Sequence, residues 1–101
     1  MEQRAKEIAE LLKVLANDNR LSILCELIRG PRTVGALGVS VPGIGQSALS
    51  QHLALMKAHG ILDSVKAGQN VTYFIADRRI EAVISVLKQQ YCDGEGKGED
   101  V

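Results

Sequence analysis

The chain has 101 residues with 12 basic and 12 acidic side chains, so its formal net charge is zero, and with no Trp, one Phe and two Tyr its core has to come from Leu, Ile, Val and Ala. That length suits one domain around one core. No apolar run is long enough to span a bilayer and no signal-peptide pattern opens the sequence, so a soluble cytoplasmic protein is expected.

Residues 3–16 carry Ile8, Leu11, Leu12 and Leu15 at helical spacing with charges between them, which predicts a first amphipathic helix. Asn17, Asp18 and Asn19 form a turn able to cap the next helix. That second helix spans 20–29, with Leu21, Leu24, Cys25, Leu27 and Ile28 apolar, and Gly30-Pro31 stops it. Thr33 caps a short helix over 34–37. Pro42, Gly43 and Gly45 then make residues 39–45 a turn rather than a helix.

Residues 46–60 are a longer helix with two faces. Leu49, Leu53 and Met56 pack inward, while Gln46, Ser47, Ser50, Gln51 and His52 gather at its front end. Short neutral hydrogen-bonding residues at the N-terminal end of a rod suit the major groove. Gln pairs with the N6/N7 edge of adenine, and Ser serves base or phosphate. The competing reading is an ordinary amphipathic surface helix with a polar cap.

After Gly60 the period changes to two. Residues 61–66 and 71–75 are β-rich runs around Ala67-Gly68-Gln69-Asn70, which is a hairpin. Lys66, Gln69 and Asn70 at its tip can reach phosphate or the minor groove, or can form a plain polar hairpin end. Residues 79–92 place Ile80, Val83, Ile84, Leu87 and Tyr91 on one stripe, too apolar to lie bare on a small monomer. With the first helix, this last one is the expected dimer seam. Residues 93–101 are Gly-rich and acidic and are expected to be a disordered tail, which leaves 1–92 as the domain. The expected fold is mainly α with a β-hairpin wing, a winged helix-turn-helix in the order α-α-α-α-β-β-α.

The zero net charge hides an uneven distribution. Residues 32–79 hold Arg32, Lys57, Lys66, Arg78 and Arg79 against Asp63 and Asp77, while residues 93–101 hold four acids against Lys97. The basic centre permits nucleic-acid binding without establishing it. Arg78 and Arg79 open the last helix, where a cation opposes the helix dipole, and this hints at a phosphate partner. An enzyme is not expected: a Gly-rich phosphate loop, a carboxylate pair and an activated nucleophile are all missing from the sequence.

Three segments carry a family resemblance: Leu12-Lys13-Val14-Leu15-Ala16-Asn17-Asp18-Asn19-Arg20-Leu21, Gln46-Ser47-Ala48-Leu49-Ser50-Gln51-His52-Leu53 and His59-Gly60-Ile61-Leu62. Over residues 5–92 the chain resembles the arsenical-repressor-type (ArsR/SmtB) transcriptional regulators. The resemblance implies a homodimer whose two reading helices enter successive major grooves of an imperfect palindrome in double-stranded operator DNA, with each wing at the flanking minor groove. The chain departs from the family in residues 38–45, which are richer in Pro and Gly than the usual helix-turn.

The family is divided by its sensing residues. The arsenical and cadmium type carries Cys-x-Cys in the short helix, which here is Val34-Gly35-Ala36-Leu37, and the zinc type uses Asp and His on the last helix, where this chain has no His. No metal site and no cofactor are therefore expected. Cys25 and Cys92 form no metal-ligand cluster. In Ile23-Leu24-Cys25-Glu26-Leu27 and Leu87-Lys88-Gln89-Gln90-Tyr91-Cys92 they resemble the branch that includes sulfide-responsive and biofilm-growth repressors and a haemolysin-gene activator. That resemblance implies a sensor in which reactive sulfur or oxidation bridges Cys25 and Cys92 and lowers operator affinity. Three alternatives stay open: two unrelated thiols, a metal-responsive repressor of the same fold, and a winged-helix interaction module that binds no DNA.

Overall fold

The computed structural model describes residues 2–93. Its elements are α1 (Glu2–Leu15), α2 (Asp18–Leu27), β1 (Arg32–Thr33), α3 (Val34–Ser40), α4 (Gln46–Ala58), β2 (Leu62–Ala67), β3 (Asn70–Ile75) and α5 (Arg78–Lys88), closed by one π-helical turn at Gln89–Asp93. The tail expected at 93–101 lies outside the described residues apart from the backbone of Asp93.

Short polar side chains start three of the helices. Asn17 Oδ1 accepts from the Arg20 N–H at 3.0 Å, Thr33 Oγ1 accepts from the Ala36 N–H at 3.1 Å, and Asp77 Oδ1 accepts from the Arg79 N–H at 2.9 Å. Each satisfies an N–H that the helix itself cannot pair. The far end of α4 is closed by Gly60, at φ +76°. The Ile61 N–H there reaches the Met56 carbonyl and the Gly60 N–H reaches that of Lys57, the paired bonds of a Schellman motif that favours glycine at this position.

Leu49, Leu53 and Met56 meet Ile23 and Leu24 of α2, Leu37 of α3, Ile61, Leu62 and Ile84 in one core, all essentially without solvent contact. Removing such side chains from water stabilises the fold by about 1.5–3 kcal/mol each before chain entropy is counted. The helix-turn-helix is therefore held from its inner face, which leaves the outer face of α4 free of structural duty.

The wing is longer and broader than the sequence predicts. β2 and β3 pair antiparallel from Leu62↔Ile75 to Ala67↔Asn70. Gly68, at φ +64°, takes the first central position of the two-residue turn, where a primed hairpin turn requires the left-handed region. A third strand joins the other edge: β1 pairs with β3 through Arg32↔Tyr73 and Thr33↔Thr72, giving the order β1-β3-β2. The expected element order thus gains a short strand between α2 and α3. The expected short helix over 34–37 runs to Ser40, whose hydroxyl donates to the Ala36 carbonyl at 3.1 Å.

Candidate nucleic-acid interface and thiol site

α4 places the predicted reading residues on two surfaces. Gln46, Ser47, Ser50 and Gln51 are exposed, as are Ala54 and Ala58 further along. At 100° per residue, Ser47, Ser50, Gln51, Ala54 and Ala58 share one outward stripe. Small side chains along that stripe let the helix lie deep in a groove. The N-cap is Gly45, which offers no side-chain bond to the first turn, so the leading N–H groups of α4 can serve an anion such as a phosphate.

His52 stands apart from that stripe. It is half-buried on the flank facing α2, where its Nδ1 lies 3.5 Å from Arg20 Nη1. Arg20 Nε in turn donates to the Val14 carbonyl at 2.6 Å. The sequence reading missed this partner, although Arg20 lies in the segment that carries the family resemblance. Lys66, Gln69 and Asn70 are all exposed at the wing tip. Lys57, at the end of α4, donates to Ser64 Oγ on β2 at 2.8 Å, which ties the reading helix to the wing.

Arg79 has a partner within the chain, so the hint of a phosphate partner at this helix start narrows to Arg78. Its Nε and Nη2 reach the two Asp77 carboxylate oxygens at 3.1 and 2.8 Å, a forked pair on the residue that caps α5. The Arg79 hydrogen bonds hold the Asp77 carboxyl below its ordinary pKa, against the opposing effect of burial, and Asp77 in turn raises that of the Arg79 guanidinium. The Arg79 charge at the helix start is thus offset within the chain, while Arg78 is exposed beside it.

Cys25 is half-buried on α2 and packs against the core. It lines an apolar depression of about 250 Å³ with Leu21, Ile84, Leu87, Lys88 and Tyr91. Cys92 follows Tyr91 directly in the chain, so the backbone brings the two cysteine-bearing segments to one end of α5. On its other side Cys25 borders a groove of about 510 Å³ that includes Ser22, Glu26, Pro42 and Gly43. Among the described residues, no group of three or more His, Cys, Asp or Glu side chains is arranged to hold a metal ion. No helix among them is long and apolar enough to cross a membrane.

The seam predicted from the helix stripes is an exposed apolar face. Ile8 and Leu12 of α1 and Val83, Val86 and Leu87 of α5 remain open, with Tyr91 beyond them. Ile8, Leu11, Leu12, Leu15, Ile80 and Val83 line a shallow depression of about 250 Å³ between the two helices. Within its own chain α1 buries only Val14 and Leu15.

A helix-turn-helix with an exposed polar reading face and a hairpin wing defines a winged-helix DNA-binding protein. The family description of arsR-type bacterial regulatory proteins matches residues 17–64. The HTH-type transcriptional regulator YgaV of Escherichia coli is 37% identical over 91% of this chain and 93% of its own length. The biofilm growth-associated repressor of Xylella fastidiosa is 34% identical over 94% of this chain and 82% of its own. Reduced HlyU from Vibrio cholerae superposes with a TM-score of 0.85 at 39% identity, covering 91% of this chain and 96% of that one. The homodimeric winged helix-turn-helix DNA-binding domain of Mb0332 from Mycobacterium bovis superposes at 0.76 and 26% identity, covering 97% and 88%. The chain belongs to the ArsR family. It is a DNA-binding transcriptional regulator and not an enzyme.

Proposed function

We propose that the chain is a homodimeric operator-binding repressor switched by reactive sulfur. Gln46, Ser47, Ser50, Gln51 and His52 contact bases and phosphates of an imperfect palindrome, and Lys66, Gln69 and Asn70 anchor the wing on the flanking DNA. α1 and α5 form the seam, a reading supported by their open apolar face and by the homodimeric Mb0332 domain. The observation that carries the switch is the depression shared by Cys25 and Tyr91, because it sets Cys25 beside the backbone that leads to Cys92. The relatives agree with this reading: one is a biofilm growth-associated repressor and another is described in a reduced state.

The chemistry balances with an organic persulfide as oxidant. One thiolate attacks the terminal sulfur of R–S–SH and releases the thiol R–SH, which leaves a cysteine persulfide. The second thiolate attacks the protein sulfur of that persulfide, a disulfide forms and hydrogen sulfide departs. The bridge ties the end of α5 to α2, which packs beneath the reading unit, and so alters the spacing of the two reading helices. A coupling of about 1–3 kcal/mol lowers operator affinity about 5- to 150-fold.

The test is fluorescence anisotropy on a duplex from the promoter region of the protein's own gene, before and after an organic persulfide, with intact-mass spectrometry on the same samples. The expected result is affinity lost with a Cys25–Cys92 bridge, and retained in Cys25→Ser and Cys92→Ser. Unchanged affinity with both thiols modified refutes the switch and makes metal ions the next effectors to try. No binding to any duplex leaves the interaction-module reading.

A further inference from the structure

The contact between Arg20 and His52 has no part in the core, the wing or the thiol chemistry. Arg20 opens α2 and is half-buried. Its Nε holds the Val14 carbonyl at the end of α1, which fixes the guanidinium, and its Nη1 faces Nδ1 of His52 at 3.5 Å. A guanidinium carries N–H donors only and stays charged. A lone pair on the ring nitrogen that faces it accepts that contact, which is the arrangement of the Nε2–H tautomer.

We propose that Arg20 is a positioning residue for DNA binding: it holds His52 in the Nε2–H tautomer, so that α4 presents a neutral N–H donor from its flank to a backbone phosphate. This rests on the assignment of α4 as the reading helix. The flank position selects phosphate over base, because His52 sits beside the stripe of Ser47, Ser50 and Gln51 rather than on it, and contacts that position a protein on DNA go to the backbone. Without Arg20 the ring divides between two tautomers, of which only one donates from Nε2.

Two measurements on the full chain test this. The first is the nitrogen-15 spectrum of the imidazole rings at a pH where they are neutral, with His52 assigned by its loss in His52→Gln. The Nε2–H form is expected in the wild type and in Arg20→Lys, and a tautomer mixture in Arg20→Met. The second is anisotropy on the own-promoter duplex. Arg20→Met is expected to weaken binding by up to about 2-fold per His52, so up to about 4-fold in the dimer proposed above, because the competent tautomer falls to about half, with Arg20→Lys near wild type. In the His52→Gln background, Arg20→Met is expected to cost nothing more.

An Nδ1–H tautomer in the wild type overturns the proposal. So does an equal loss from Arg20→Met in both backgrounds, which makes Arg20 part of the scaffold alone. Where Arg20→Met is unfolded by circular dichroism, the wild-type and Arg20→Lys spectra decide. A wild type that binds no duplex overturns the DNA reading along with this role, whatever the tautomer spectrum gives.

Discussion

Substituting Leu12 by Ala tests whether α1 and α5 form the seam, because its cost falls on a surface the single chain leaves open. Leu12 is 51% exposed. Full burial of a leucine side chain is worth about 1.5–3 kcal/mol, so the exposed half leaves about 1 kcal/mol for a partner to bury. In a two-fold interface each substitution acts twice. The expected loss is about 2 kcal/mol, or about 30-fold in the dimer Kd. Sedimentation equilibrium over a dilution series measures it, with Val39→Ala as control: Val39 is 80% exposed but lies on α3, away from the apolar face. A dimer Kd unmoved by Leu12→Ala, or moved as much by Val39→Ala, refutes the assignment.

Asp77→Ala is expected to lower stability by about 1 kcal/mol through the lost cap, with little added by the ion pair because the Arg79 side chain is 77% exposed; a chemical denaturation midpoint reads it. Since folding lowers the Asp77 pKa, the carboxylate's contribution is full above its unfolded value near 3.8 and fades as pH falls through the lower folded value. Asp77→Asn, which can still cap, is expected to flatten that acid limb of the stability profile. Gly68→Ala is expected to cost about 1–2 kcal/mol at φ +64°, whereas Gly43→Ala, outside the left-handed region and with open space around it, is expected to be neutral or to stabilise by up to about 1 kcal/mol; thermal melts compare the two. Gln51→Ala is expected to relax preference at one base pair by about 1–3 kcal/mol, while Lys66→Ala weakens all duplexes alike and lowers the salt slope by about one; titrations at several salt concentrations separate the two effects.

The inner face of α4 was legible because Leu49, Leu53 and Met56 repeat at helical spacing, and every one of them is buried. The hairpin was legible from the glycine at its turn and the β-branched and aromatic runs around it. β1 was not, because Arg32 and Thr33 are only two residues and their pairing comes from β3 lying alongside rather than from any local period. α3 outran its expected end because the breaker is Pro42: the residue before a proline is the one pushed out of helix, and Val41 indeed has φ −123° and ψ 65°. The polar stripe on α4 was readable as a pattern, whereas the turn of His52 toward Arg20 depends on how α2 crosses α4. Asp77 and Arg79 were visible as residues, but their forked pairing follows from the backbone entering α5, which no charge count reveals.

Thr33 is at once the last residue of β1 and the residue that caps α3. The sheet that carries the wing and the helix that precedes the reading turn therefore share a single joint with no slack between them. Lys57 and Ser64 add a second tie from the end of α4. A groove contact and a wing contact made by one protomer then stand at a fixed separation, like two teeth on one key. In the dimer proposed above, the dimension left to adjust is the gap between two keys. An effector that never touches DNA can work the lock only by moving one key against the other.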